Sequence, residues 1–244
     1  MASARRGKES IDRARRSPKA VPTVWIFTEG TLTEPQYIDI VRELRDSGIR
    51  LSVHIANDER THGGTKGPRN PTYARKPLDL LDQALAKLRE EKRKAKREKW
   101  PTPEKNSPWT TVWCLFDRDQ HEGVDEVMRV AKEMKEDGLR VAYSHPCFEL
   151  WRLLHHKDYT STFGGVCDDA TGRLPFVTAR TSKEEAKVVL PEQILKGEAD
   201  GFATAKARAQ RINARHGDHV LHSKRDPYTD VWRFVEEGLR VTDY

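Results

Sequence analysis

The sequence predicts an α/β fold, a parallel sheet with helices on both faces, followed by a mainly helical C-terminal extension. Three observations predict it. Short apolar runs recur at residues 21–28, 51–55, 109–116 and 139–143; stretches with helical spacing lie between them; and strand and helix alternate as β-α-β-α-β-α-β-α as far as residue 156. The chain of 244 residues fits one large domain, or one and a half. The expected organisation is a flexible basic arm over 1–20, an α/β domain over 21–158 and the helical extension over 159–244.

Each element has its own signal. VPTVWIFT (21–28) is a buried-strand run, with Pro22 at its start where a missing N–H is tolerated. Thr33 precedes Gln36 by three, a capping-box pattern with Pro35 in the first turn. Tyr37, Ile40, Val41 and Leu44 then share a face, and Gly48 signals the stop. Leu51, Val53 and Ile55 alternate as a second strand. Residues 57–76 form a long polar loop, a length that usually marks function or mobility. Its HGGTKG does not match the GxxxxGK[ST] phosphate loop, so no nucleotide role is assigned to it.

Pro77 opens a helix with Leu78, Leu81, Leu85 and Leu88 inward, broken by WPTPEKNSPW. WTTVWCLF (109–116) is the third strand. Val124, Val127, Met128, Ala131 and Met134 mark a helix that ends near Gly138, and Leu139, Val141 and Tyr143 alternate as the fourth strand. Residues 148–156 form a short apolar helix whose terminal His155 and His156 suit the helix dipole. The pattern weakens over 160–198. It returns at 199–215, with Phe202, Ala205, Ala209 and Ile212 on one side, and in a final helix capped by Asp226 with Val231, Phe234, Val235 and Leu239 apolar. Trp25, Trp113, Phe116 and Trp151 read as core.

Composition excludes several classes. The chain is 36% apolar and 34% charged, polar for a globular protein but with enough apolar residues for a core. No run approaches the roughly 18 apolar residues of a membrane span, and the basic N-terminus lacks the apolar stretch of a secretory signal, so a cytoplasmic protein is expected. Three cysteines without CxxC spacing argue against a disulfide scaffold or a zinc finger. The net charge of +6 is uneven. Residues 1–20 hold seven basic and two acidic residues, and 89–99 hold seven basic and three acidic, so the remainder is slightly acidic. Arg93, Lys94, Lys96 and Arg97 in that second block, with Lys206, Arg208 and Arg211 on the helix at 199–215, are the candidate nucleic-acid-binding residues.

Acids sit at strand ends. Ligands of parallel α/β sheets bind outside the carboxyl ends of strands. Glu29 ends the first strand in TEG; Asp117 and Asp119 end the third in FDRD, where an extended backbone points i and i+2 the same way. Glu149 follows the fourth strand. Glu29, Asp117, Asp119 and Glu149 are the candidate catalytic residues, the first three as ligands of Mg²⁺ or Mn²⁺, which take carboxylate oxygens together with substrate phosphate. Such an ion activates water and stabilises a leaving oxygen at a phosphodiester. It also relieves the repulsion between acids and a polyanion. Glu149 can equally pair with Arg152 on its own helix, and His145 lies near the same rim.

The glutamate after the first strand and the DxD after a later one resemble the Toprim domain of topoisomerases, primases and overcoming-lysogenization-defect nucleases. More specifically, TEGTLTEPQY (28–37), FDRD (116–119) and HPCFELWRLLHH (145–156) resemble the RloB-like family of bacterial and archaeal defence loci. GFATAKARAQ (201–210) is similar to its alanine-rich helix, and DPYTDVWRFVEEGL (226–239) to its closing NPxTxV-type helix, with Asp226 where asparagine is usual; His145 likewise stands where asparagine is more usual. The resemblance implies a Toprim-like core, Mg²⁺-dependent phosphodiester cleavage of DNA or RNA (tRNA included) as an antiviral effector, and an ABC/AAA-type ATPase partner encoded nearby. Carried over by position, it makes Glu29 a general acid/base or ligand, Asp117 and Asp119 ligands, and Glu149 a further acid; Glu34 matches a family position to which no role is assigned, and as an acid in the helix's first turn it suits the dipole. A non-catalytic nucleic-acid- or partner-binding subunit is the alternative. A phosphotransferase using Asp117 as nucleophile is disfavoured, because that chemistry wants DxDx[TV] on the first strand.

Overall fold

The computed structural model describes residues 21–58, 75–103, 108–119 and 121–244. The basic arm over 1–20 and most of the polar loop, 59–74, lie outside the described residues. A five-stranded sheet forms the centre, in the order β2-β1-β3-β4-β5. Strands β1 (Thr23–Thr28), β2 (Ser52–Ile55), β3 (Thr110–Asp117) and β4 (Leu139–His145) are parallel, so their carboxyl ends share one rim. The fifth strand, β5 (Tyr228–Thr229), pairs antiparallel with β4 and makes the sheet mixed rather than wholly parallel. Two residues carry too little pattern to be read as a strand; β5 exists because Ser144 and His145 offer it a register.

Helices cover both faces. On one side α2 (Pro77–Arg97) and α3 (Val124–Glu133) bury Leu80, Leu81, Ala84, Leu88, Val124 and Val127 against Phe27, Val112, Cys114 and Phe116. Leu78, expected inward, is exposed, and Leu80 and Ala84 take the inward positions. On the other side lie α1 (Thr33–Glu43), α4 (Glu149–Leu154), α7 (Gly201–Asn213), α8 (Val231–Arg233) and the π-helical turn Phe234–Leu239. Their buried residues, Tyr37, Ile38, Val41, Trp151, Phe202, Phe234 and Leu239 among them, join Ile26, Trp113 and Leu115 in one cluster. The stretch after residue 159 therefore shares the core of the α/β unit. The apolar residues predicted for α7 and for the final helix are all buried.

Three local expectations change. Thr33 and Gln36 make no capping box, because both side chains are drawn to a distant segment: Thr33 Oγ1 donates to Lys187 O (2.9 Å), and Gln36 Oε1 accepts from Val189 N (2.9 Å). Asp226 does not cap the last helix, which begins at Val231; its carboxylate accepts N–H bonds from Phe163 and Gly165 instead. Cys147 and Cys167 form a disulfide that joins the start of α4 to the short helix α5 (Cys167–Thr171). This is a single staple on a well-packed core, not the scaffold that the cysteine count argued against. No helix among the described residues is long and apolar enough to cross a membrane.

Candidate active site

At the carboxyl rim the acids meet in one cleft of about 560 Å³. Glu29, Glu34, Asp117, Asp119 and Glu149 line it, with His121, Arg75, Lys76, Lys183 and Lys187 around them. The sheet places Glu29 and Asp117 directly. Glu29 N donates to Leu115 O (2.9 Å), extending the β1–β3 ladder by one residue, and Glu29 Oε2 accepts from Asp117 N (2.9 Å). Glu29 Oε1 lies 2.7 Å from His121 Nε2, and this contact raises the imidazole pKa above its ordinary value.

Asp117 is the last residue of β3. Asp119 reaches the cleft by a turn rather than by strand alternation: its φ is +32°, a left-handed conformation that aspartate tolerates better than most residues, and its N–H donates to Pro146 O (3.1 Å). The shared orientation expected of the DxD pair thus has a different origin. Burial pushes the Asp117 carboxyl well above the usual range, and the neighbouring Glu29, Glu34 and Glu149 add to it.

Glu34 turns from a first-turn acid into a site residue. It is buried, its Oε1 accepts from Gly30 N (2.9 Å), and burial pushes its pKa up to about 7. A β-carbon at Gly30 would lie 2.0 Å from Glu34 Oε2, so a larger residue there would displace this carboxylate. Arg75 ties the same turn down, donating to Thr28 O (3.0 Å) and Asn57 O (2.8 Å). Glu149, raised by burial, has Arg152 Nη1 at 3.9 Å as its counter-ion, so the pairing with Arg152 and the place in the cleft both hold.

The remaining candidates fall elsewhere. His145 is buried on the β4–β5 side, its Nε2 4.0 Å from Asp226 Oδ2, and it does not line the cleft. His155 is not a charged helix-end residue: it is fully buried between Trp151 O and the Tyr244 hydroxyl, and burial lowers its pKa to about 3. Lys206 pairs with Glu236, Arg208 with Asp200 (2.7 Å) and Arg211 with Asp158 (2.7 Å), so that face of α7 is occupied by internal ion pairs. Arg93, Lys94, Lys96 and Arg97 stand in the last two turns of α2. That 21-residue helix is about 30 Å long and starts at the cleft, beside Lys76, so the basic block sits at its far end.

An all-oxygen donor set suits a hard divalent ion. Glu29, Asp117 and Asp119 offer carboxylate oxygens of that kind, and a cation would offset the burial and the neighbouring acids that together push the Asp117 carboxyl up. Their oxygens are not drawn into one tight trio. Among the described residues the only three ligand atoms all within 4.8 Å of one another belong to Cys147, Glu149 and Cys167, whose sulfurs are already joined. The three acids suit such an ion by chemistry and line one cleft, but their oxygens lie too far apart in this structure to grip one ion together.

Sequence reasoning did not assign His121, Arg75, Lys76, Lys183 or Lys187 to the site. His121 alone carried a readable signal, standing in the turn that follows FDRD. Comparison with curated proteins and with solved structures returns no match. A family profile described as RloB-like protein matches residues 24–237, which take in every acid of the cleft. With most of its length matched, this chain belongs to the RloB-like family.

Proposed function

We propose that the cleft is the active site of a metal-dependent nuclease, a Toprim-type enzyme that hydrolyses phosphodiester bonds of DNA or RNA, tRNA included. The observation that carries this reading is the meeting of Glu29, Asp117 and Asp119 at the carboxyl ends of two adjacent parallel strands, in a cleft that also holds Glu34 and Glu149 and is edged with lysines. Five acids facing one cavity are costly without a cation. Glu29, Asp117 and Asp119 would hold Mg²⁺ or Mn²⁺, which when bound supplies an activated water and a charge at the leaving oxygen.

The chain's own residues do the rest. Asp117 N–H and His121 fix both oxygens of Glu29, so that carboxylate is oriented before substrate arrives. Arg75 holds the Thr28–Gly30 turn from which Glu29 projects. Glu149, whose pKa burial raises, stands at the cleft wall as a further acid. The resemblance of the chain to defence-locus proteins adds the biological setting: an antiviral effector controlled by an ABC/AAA-type ATPase.

The test is purified protein with Mg²⁺ or Mn²⁺ on plasmid DNA and on total tRNA, alone and with any ATPase found to be encoded beside it. Wild type is expected to cut, and the Asp117→Ala, Asp119→Ala double variant to lose cutting. Equal cleavage by the two would overturn the reading. A non-catalytic binding subunit draws its support from the internal hydrogen bonds that occupy Glu29, and it requires acid variants to keep full defence activity in cells.

A further inference from the structure

We propose that Lys187 is a substrate-binding residue of the cleft, presented there by a backbone clamp to take a phosphate of the nucleic-acid chain. This rests on the nuclease reading and adds the residue that grips the polyanion. Lys187 ends α6 (Lys183–Lys187), a five-residue helix on the solvent side of the cleft. So short a helix has little stability of its own. Its position comes instead from side chains of the core.

Four consecutive residues each have one main-chain atom hydrogen-bonded to a side chain of the neighbouring helices α1 and α4. Arg152 Nη1 donates to Ala186 O (2.7 Å), Thr33 Oγ1 to Lys187 O (2.9 Å) and Arg152 Nη2 to Val188 O (2.7 Å), while Val189 N donates to Gln36 Oε1 (2.9 Å). Arg152 is wholly buried, and its other close acceptor, Gln193 Oε1 (2.8 Å), belongs to the next turn of the same segment. Within the clamp Ala186 and Val189 point into the core, and Lys187 is the exposed residue that lines the cleft.

The charge arrangement points the same way. Lys183, at the other end of α6, is held by Asp168 (2.8 Å). Lys187 has no ion pair to a described residue, although it shares a cavity with Glu34, Asp117 and Glu149. An ammonium carried on a clamped backbone, beside acids that would hold a divalent ion, is suited to a phosphate bridging the two, because a lysine is a compact point-charge binder of phosphate. If the clamp only anchored the C-terminal stretch, the side chain at 187 would be immaterial.

The experiment measures affinity without turnover. Fluorescence anisotropy of a fluorescein-labelled single-stranded oligonucleotide is followed in Ca²⁺, across a salt series, with full-length wild type, Lys187→Ala, Lys187→Arg and, as a control, Lys196→Ala, which pairs with Asp243 outside the cleft. The clamp uses the carbonyl of residue 187, so Lys187→Ala should fold as wild type, which circular dichroism checks. The expected result is about tenfold weaker binding by Lys187→Ala, a salt slope smaller by about 0.7, substantial recovery in Lys187→Arg, and no change in Lys196→Ala. In cleavage assays the loss should appear in KM and not in kcat. Wild-type-like affinity and slope in Lys187→Ala would overturn this inference alone. Absence of binding by wild type would overturn it together with the nucleic-acid reading, whereas binding without cleavage would count against the nuclease only.

Discussion

Removing the guanidinium of Arg152 is the perturbation with the largest effect that the structure allows to be worked out. The side chain is fully buried, donates to Ala186 O, Val188 O and Gln193 Oε1, and stands 3.9 Å from Glu149 Oε1. Burial lowers its pKa to about 10, still charged at neutral pH. Arg152→Met keeps much of the volume but leaves Glu149 without its counter-ion and two buried carbonyls without donors. Breaking a buried pair from one side costs about 3–5 kcal/mol. For a chain of this size that corresponds to a fall in Tm of roughly 6–20 °C. Urea unfolding followed by circular dichroism, with calorimetry for Tm, measures it. The second variant, Glu149→Gln on top of Arg152→Met, removes the stranded carboxylate and should recover about 2 kcal/mol, the remainder belonging to the orphaned carbonyls. Limited proteolysis of Arg152→Met should also open the chain near α6. A loss below about 1 kcal/mol, or a double variant less stable than Arg152→Met, would refute the reasoning.

Three further outcomes are expected. Reducing the Cys147–Cys167 bond, whose ends are 20 residues apart, should cost about 3 kcal/mol in urea unfolding with and without a phosphine reductant; identical curves would contradict this. Asp230, buried with Oδ1 accepting from Tyr143 N (2.8 Å), has a pKa raised from 3.8 to about 6, so its contribution to stability is complete below pH 3.8 and is lost as pH rises through 6, about 3 kcal/mol in all. Asp230→Asn retains the acceptor and should match wild type near pH 4 yet exceed it above pH 6; parallel stability–pH curves would show the shift is not there. Gly238→Ala places a β-carbon 2.8 Å from Phe234 Cδ2 and 3.2 Å from Trp113 Cε2, and should cost about 1–3 kcal/mol by thermal unfolding, against no change if the π-turn yields freely.

How much of this was legible depends on the range of the interaction concerned. Hydrophobic period is local, and it located β1 to β4, α1 to α4 and the buried positions Phe202, Ala205, Ala209 and Ile212 of α7. The acids followed from it, because a parallel sheet brings Glu29 and Asp117 to one rim wherever the strands end. What the sequence concealed is non-local. Thr33 and Gln36 look like a cap until residues 187 and 189, about 150 positions away, compete for the same side chains. Glu34 looks like a dipole acid until the Gly30 turn folds back on it. The cation face of α7 looked open because Glu236 and Asp158, the partners of Lys206 and Arg211, come from other segments of the chain; Asp200, the partner of Arg208, stands at the helix's own N-terminus. His155 suits a solvated helix end in sequence, but Tyr244 closes over it from the far end of the chain. Lys187 lay in the stretch of weakest pattern, where no periodicity could assign it a face.

The central claim is that Glu29, Asp117 and Asp119 together hold a divalent ion. Titrating Mn²⁺ into wild type and into the Asp117→Asn, Asp119→Asn double variant, with free Mn²⁺ read by electron paramagnetic resonance, tests it without requiring a substrate or a partner. A saturable site is expected in wild type, lost in the double variant and weakened by Glu29→Gln. Equal Mn²⁺ binding by wild type and the double variant, or none by either, would contradict it.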